Sequence, residues 1–366
     1  MNIKINREVL LKPLSNVSGI VEKRHALPIL SNLLLEGEDG ILKFTATDLE
    51  VQISLSIKAD IKESFKTTIS ARKLFDITRA LQEESILDIQ IDDSKVMVKA
   101  KKSRFNLQTL PAKDYPVMVK NEGEAINFSV SQNQLKSLLK QVDFSMAQQD
   151  IRYYLNGLLF EVVGKKLNIV ATDGHRLSFT STNLSEAKEK TQIIIPRKTI
   201  IELIKLMRDD EQPIMVSVTK TQVVFKFNDI DLITKVIDGK FPDYDRVIPV
   251  GHKNVFNVDR LSLLASMQRA SILSNEKYRG IRMVIEENNL KLISSNSEQE
   301  QAEEELEIKY TGTTIDIGFN VTYLIDVLVN IQFDELTFAF NDSSSSCLIT
   351  IPNNDDYKYV VMPMRI

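Results

Sequence analysis

LSNLLLEGEDGILKFTATDLE, Leu30–Glu50, decides the fold, because the chain writes it more than once. LNGLLFEVVGKKLNIVATDGH follows at Leu155–His175, and a more diverged RGIRMVIEENNLKLISSNSE at Arg279–Glu298. Leu34-Leu35-Glu36, Leu159-Phe160-Glu161 and Val284-Ile285-Glu286 fall in register, as do Thr47-Asp48, Thr172-Asp173 and Ser295-Asn296. A second anchor recurs with the same period: Ala71-Arg72-Lys73, Pro196-Arg197-Lys198 and Asn320-Val321-Thr322, each opening a helix-like stretch. Repeats with a fixed period specify architecture before any local reading does. The period divides the chain into domains at 1–124, 125–250 and 251–366, each of ordinary domain size.

Within a repeat the hydrophobic pattern alternates between two periods. Arg7–Val17, Gln132–Phe144 and Asp259–Ala270 have helical spacing; Leu135, Leu138, Leu139 and Val142 make one buried stripe. Strand-like runs follow at Ile41–Ala46 and Leu167–Ala171, then second helices near Arg72, Arg197 and Val321. More alternation closes each repeat, at Leu87–Ile91, Lys95–Lys101, Ile214–Val218 and Val223–Asn228. The fold class is therefore α+β: three repeated domains, each with two helices and antiparallel sheets. Pro13 should bend the first helix or shift its start.

Composition is that of a soluble globular protein, and no apolar run approaches the roughly 20 residues that span a bilayer. MNIKINREVLLKPL lacks a signal pattern, so no membrane partner and a cytoplasmic location are expected. The one cysteine, Cys347, excludes a disulfide framework or a multi-cysteine metal site. Net charge is −4, but unevenly spread: 19 basic and 18 acidic side chains in residues 1–124, 17 and 15 in 125–250, 10 and 17 in 251–366.

The helices carry basic residues on their polar sides: Arg72 and Arg79, Lys136 and Lys140, Lys198 and Lys205, with Arg197, Arg208, Arg260 and Arg269. Such residues read either as solvated surface or, because corresponding helices repeat the sign, as one shared basic face. Geometry offers a use for that face. A 120-residue domain is about 35 Å across, and six in a closed ring leave a hole about one domain wide, enough for hydrated duplex DNA. Two copies of this chain joined head to tail would make that ring. Mild positive charge suits sliding, because tight phosphate contacts are strong and salt-dependent. The joining ends are complementary in sign: Glu298, Glu300, Glu303, Glu304 and Glu305 against Lys99, Lys101, Lys102 and Arg104, with Phe105, Leu107, Ile272 and Leu273 as an apolar centre. Two unrelated solvated charge runs would look the same.

Five segments are more specific: DIRYYLNGLLFE (150–161), ATDGHRLS (171–178), VIDGKFPDYDRVIP (236–249), ASILSNEKYRG (270–280) and YVVMPMRI (359–366). With them the chain closely resembles the bacterial DNA polymerase III β subunit family, the sliding clamps, over all three repeats. The resemblance implies a head-to-tail homodimer, helices lining a central hole, and polymerases tethered to duplex DNA after opening by an ATP-driven clamp loader. It implies no cofactor and no metal. By position it makes Arg24, Arg72, Gln149, Arg152, Tyr153 and Tyr154 DNA contacts, the tyrosines suited to base stacking; Lys198 and Lys205 join them from the basic helix face.

The resemblance also implies a groove for partner peptides, including those of polymerases and clamp-loader subunits, between the second and third repeats. Its lining would be Leu155, Thr172, Gly174, His175, Arg176, Leu177, Pro242, Arg246, Val247, Asn320, Tyr323, Ser346, Val360, Val361, Met362, Pro363, Met364 and Arg365. Apolar walls, adaptable methionines and a few polar groups suit such a site. Ser344 departs from the family pattern, which has an apolar residue there.

Two other readings compete. Asp173 and His175 could be metal ligands or an acid–base pair, but His25, His175 and His252 are the only histidines and have no ligand-set spacing; no GxxxxGK[ST] loop occurs. Asp48 stands at the matching place of the first repeat without a histidine, so the Thr-Asp pair reads as a structural turn. The remaining alternative is a repeat-built protein-binding scaffold that does not encircle DNA.

Overall fold

The computed structural model describes residues 1–21, 27–92, 94–121 and 123–365. The first repeat runs β1 (Asn2–Asn6), α1 (Arg7–Ser18), β2 (Asn32–Glu38), β3 (Ile41–Thr47), β4 (Val51–Lys58), β5 (Phe65–Ser70), α2 (Ala71–Ala80), β6 (Ile86–Ile91), β7 (Lys95–Ala100) and β8 (Ser103–Gln108). The second runs β9 (Ile126–Ser131), α3 (Gln132–Lys140), β10 (Gly157–Thr172), β11 (Arg176–Pro196), α4 (Arg197–Leu206), β12 (Pro213–Val218), β13 (Gln222–Phe227) and β14 (Ile230–Lys235). The third runs β15 (Asn254–Asp259), α5 (Arg260–Ser271), β16 (Gly280–Glu286), β17 (Asn289–Ser295), β18 (Gln301–Glu307), β19 (Ile315–Asn320), α6 (Val321–Asn330), β20 (Glu335–Phe340), β21 (Cys347–Ile351) and β22 (Asn354–Val361). One order is written three times, except that in the second repeat the first two strands between the helices run on as the 16-residue β10 and the next two as the 21-residue β11.

By contacts the chain forms two compact units, residues 1–134 with 201–236, and residues 135–200 with 237–366. The first unit holds an antiparallel sheet ordered β5-β2-β3-β4-β14-β13-β12-β9, in which Leu55 of β4 faces Ile230 of β14. Its other sheet is β1-β6-β7-β8. Leu10, Leu14 and Val17 of α1 pack against α2, whose Ala71, Leu74 and Thr78 are buried. The second unit holds β10-β11-β22-β21-β20-β15 and β18-β17-β16-β19. There α5 and α6 bury Leu263, Met267, Leu324 and Leu328 in one core with Phe256, Phe319 and Phe338. No helix of the described residues is long and apolar enough to cross a membrane.

Side chains that start helices are where elementary capping puts them. Asn6, Ser70, Asp259 and Asn320 each accept a backbone N–H from the first turn of the helix that follows. Pro13 does not shift the start of α1, which runs unbroken from Arg7. The carbonyl that its missing N–H orphans belongs to Val9, a residue 47% exposed, where water can satisfy it. The helix expected to reach Phe144 stops at Lys140, and a short 3-10 turn at Asp143–Ser145 follows.

Candidate functional site

The Thr-Asp pairs are turns of one design. Thr47 Oγ1 donates to the Val51 carbonyl and Asp48 Oδ1 accepts the N–H groups of Glu50 and Val51. Thr172 Oγ1 donates to the Arg176 carbonyl, and Asp173 Oδ1 accepts the N–H groups of His175 and Arg176. In both turns one carboxylate oxygen is spent on backbone, as a structural turn requires. In the second turn Gly174 stands at φ +89, and a Cβ there would lie 2.9 Å from Arg152 Nη1. The positive φ favours glycine, and any side chain there would also push the Arg152 guanidinium aside.

That turn rims a cavity of about 140 Å³ in the second unit. Leu155 precedes β10; Thr172, Gly174, His175, Arg176 and Leu177 form the turn and the start of β11; Pro242 and Val247 come from the loop after β14; Val360 and Met362 end the chain's last strand. The pairing of β11 with β22 sets Leu177 opposite Val360 and Arg176 opposite Val361, which brings the two distant segments together. The volume is below the roughly 300–1,000 Å³ typical of pockets for drug-sized ligands. It suits one or two apolar side chains of a peptide.

Arg176 is the electrostatic centre of this wall. Its guanidinium donates to Asp326 Oδ2 at 2.6 Å, Asp173 Oδ2 at 3.1 Å and the Phe144 carbonyl at 2.7 Å. It also lies 4.4 Å from the centre of the Tyr323 ring, and His175 stacks on that same ring. With the side chain 9% exposed, Arg176 is a buried, fully partnered cation that stiffens the rim.

Other residues assigned to the groove sit around the cavity rather than in its lining. Val361 is buried in the core, because alternation along β22 points it away from the face Val360 uses. Asn320 caps α6, Tyr323 lies under Arg176 and His175, and Arg246 is exposed and paired with Asp243. Met364 donates its N–H to the Gly318 carbonyl; Ser346 and Pro363 are half-buried and Arg365 is exposed. Ser344 is exposed in a turn where its N–H and hydroxyl both donate to Asp342 Oδ1, holding that carboxyl down at about 2. Conversely, Arg152 and Tyr154, assigned from sequence to DNA alone, also line the cavity. Asp326 and Phe144, which support Arg176, carry no motif and were legible only through a buried arginine's need for partners; Tyr359, whose hydroxyl donates to the Tyr323 carbonyl, heads the YVVMPMRI segment but was given no role from sequence.

The residues expected to touch DNA fall in several places. Gln149 adopts a left-handed backbone at φ 55 in an exposed loop whose tip, Ile151, is 95% exposed and was not singled out from sequence. In the same loop Arg152 is bidentate to Asp150, whose carboxyl its guanidinium lowers to about 2; Tyr153 is exposed. Arg72 is exposed on α2 and shares Asp76 with Arg79. Lys205 is exposed and paired with Glu202, whereas Lys198 is half-buried. Arg24 lies outside the described residues. The third repeat's arginines do not continue a free basic face: Arg260 donates to the Phe333 and Leu328 carbonyls, and Arg269 is bidentate to Glu304. Arg197 likewise donates to the Asp143 and Met146 carbonyls.

Each sheet is open, and the runs expected to join copies lie on or beside two of the edge strands, β8 in the first unit and β18 in the second. On β8 Phe105 is half-buried and Leu107 buried; Ile272 is 76% exposed and Leu273 half-buried just after α5. Glu298 and Glu300 are exposed before β18. The acidic run is less free than its sequence implies. Lys291 of the neighbouring β17 pairs with Glu303 and Glu305 on one face, and Arg269 of α5 takes Glu304 on the other.

Comparison with known proteins covers the whole chain. Sequence profiles of the DNA polymerase III beta subunit match residues 1–119 (N-terminal domain), 129–243 (central domain) and 245–365 (C-terminal domain). The beta sliding clamp of Pseudomonas aeruginosa is 44% identical over 368 residues, all of both chains. Crystal structures of the DNA polymerase III subunit beta from that organism, alone and as a sliding clamp bound to griselimycin, superpose with TM-scores of 0.96 and full coverage of both chains at 44% identity. The chain belongs to the DNA polymerase III beta subunit family: it is a DNA sliding clamp, a non-catalytic processivity factor of replication.

Proposed function

We propose that two copies of this chain close head to tail into a six-domain ring around duplex DNA, and that the cavity beside Arg176 takes short peptides of polymerases and clamp-loader subunits. The observation that carries the peptide reading is the cavity itself: ten residues assigned to the groove from sequence, from four separate segments, line one small apolar hollow with a buried cation at its rim. Griselimycin, bound by the Pseudomonas aeruginosa clamp, would then bind here. In this reading the domains are residues 1–124, 125–250 and 251–366, and the protein acts in the cytoplasm. Gln149, Arg152 and Tyr153, with Arg24, Arg72, Lys198 and Lys205, would touch DNA. The open strands β8 and β18 would pair between copies, with Ile272, Leu273, Phe105 and Leu107 as the apolar centre and Glu298 and Glu300 beside them.

The test is topological. Clamp loaded onto nicked circular plasmid by a partner ATPase is expected to elute with the DNA and to be lost when the plasmid is linearised. Equal retention on circles and linear DNA, or a strictly monomeric chain in sedimentation, would leave only the scaffold reading. Titration with griselimycin tests the groove independently of the ring.

A further inference from the structure

We propose that Glu161 and Tyr244 form a buried latch that positions one wall of the peptide groove. The proposal rests on the reading of the cavity as a peptide site and names residues outside that cavity. The wall in question is made by Pro242 and Val247, which come from the segment after β14. Between Lys235 and Asn254 that segment's regular structure is one 3-10 turn, Tyr244–Arg246. Segments of this kind are mobile unless something ties them down.

The tie is specific. Tyr244 is buried, its ring packs 5.9 Å from Phe179, and its hydroxyl donates to Glu161 Oε2 on β10. The carboxylate also accepts Asn168 Nδ2 at 3.0 Å and Gln192 Nε2 at 2.6 Å, with Lys190 Nζ 3.8 Å away. From the other end of Tyr244, its carbonyl accepts the N–H groups of Val247 at 3.0 Å and Ile248 at 3.3 Å. Val247 therefore hangs from Tyr244, and Tyr244 hangs from Glu161.

A carboxylate 5% exposed on a strand costs desolvation that an apolar residue would not. It is kept in place by three uncharged donors, and one of them carries the groove wall. Burial works against its ionisation, but Tyr244, Asn168 and Gln192 outweigh that and hold its pKa below the ordinary value. A wall fixed in advance spares the incoming peptide the cost of ordering it. When a binding-competent arrangement is only partly populated, apparent affinity falls by that fraction.

The experiment uses the full chain and griselimycin as probe. Tyr244→Phe keeps the ring and removes the hydroxyl; it is expected to weaken griselimycin on the order of tenfold. Amide exchange at Val247 and Ile248 should quicken while the β10–β11 ladder stays protected. Glu161→Gln keeps an acceptor for Tyr244, since Gln192 can turn its amide over; it should bind within about threefold of wild type. Unchanged affinity and unchanged exchange in Tyr244→Phe would overturn the latch while leaving the groove intact. Failure of the wild type to bind griselimycin would instead sink the groove reading, and exchange at 247–248 would decide the latch alone. Should Tyr244→Phe not fold, wild-type exchange decides: amides at 247–248 no slower than that of Ile151 at the exposed loop tip refute it.

Discussion

Replacing Arg176 by alanine tests how much of the groove's rigidity rests on one buried cation. The side chain is 9% exposed, and its partners Asp173 and Asp326 are 16% and 32% exposed. Removing one member of a buried ion pair costs about 3–5 kcal/mol, because the remaining charge is left desolvated. Asp173 keeps the backbone N–H groups of its turn, and Asp326 keeps a third of its surface in water, so the lower end applies. Losing the bond to the Phe144 carbonyl adds about 1 kcal/mol. The sum is about 4 kcal/mol. With a urea slope of roughly 2–3 kcal/mol per molar, the unfolding midpoint of residues 135–200 and 237–366 should fall by about 1–2 M. Hydrogen exchange at stepped urea concentrations isolates that unit; the chain has no tryptophan to report on it by fluorescence. Arg176→Lys keeps the charge without the planar fork and should fall between. A midpoint within about 0.3 M of wild type for Arg176→Ala would refute the argument that the cation is desolvated.

Gly157→Ala should lower stability by about 1–3 kcal/mol, since a Cβ there would lie 2.4 Å from the Ile195 carbonyl oxygen across the β10–β11 ladder; a melting temperature equal to wild type would contradict it. Joint replacement of Ile272 and Leu273 by serine should yield monomers in sedimentation at concentrations where the parent is dimeric, because Ile272 exposes 76% of its surface while the nearby carboxylates are internally paired. Acid should release the loop at 241–248. Glu161 titrates below its ordinary 4.5, so its contribution is complete above that pH and is lost as pH falls through the lower folded value. Exchange at Val247 should therefore rise below pH 4.5 before the core strands open; simultaneous opening would count against it.

The threefold plan is legible in one dimension. Its periods of hydrophobicity, the paired Thr-Asp turns and the capping residues Asn6, Ser70, Asp259 and Asn320 are local, and local patterns follow from backbone sterics and hydrogen bonding. Resemblance supplied the groove residues, but not which of them face the cavity. Val360 and Val361 are adjacent and equally apolar, and only the strand's alternation sends one to the groove and the other to the core.

The pairing of charges becomes visible only in the folded chain. Arg269, Arg260 and Arg197 look like members of a basic face in sequence, yet each is consumed by a carboxylate or by carbonyls tens of residues away. Glu303, Glu304 and Glu305 look like a free acidic edge and are matched across β17 and α5. Charge interactions act through space over a few ångströms, so a sequence counts charges but cannot pair them. Apolar periodicity survives projection onto one dimension because each element buries its own face; the network that joins Arg176, Glu161 and Tyr244 to their partners does not.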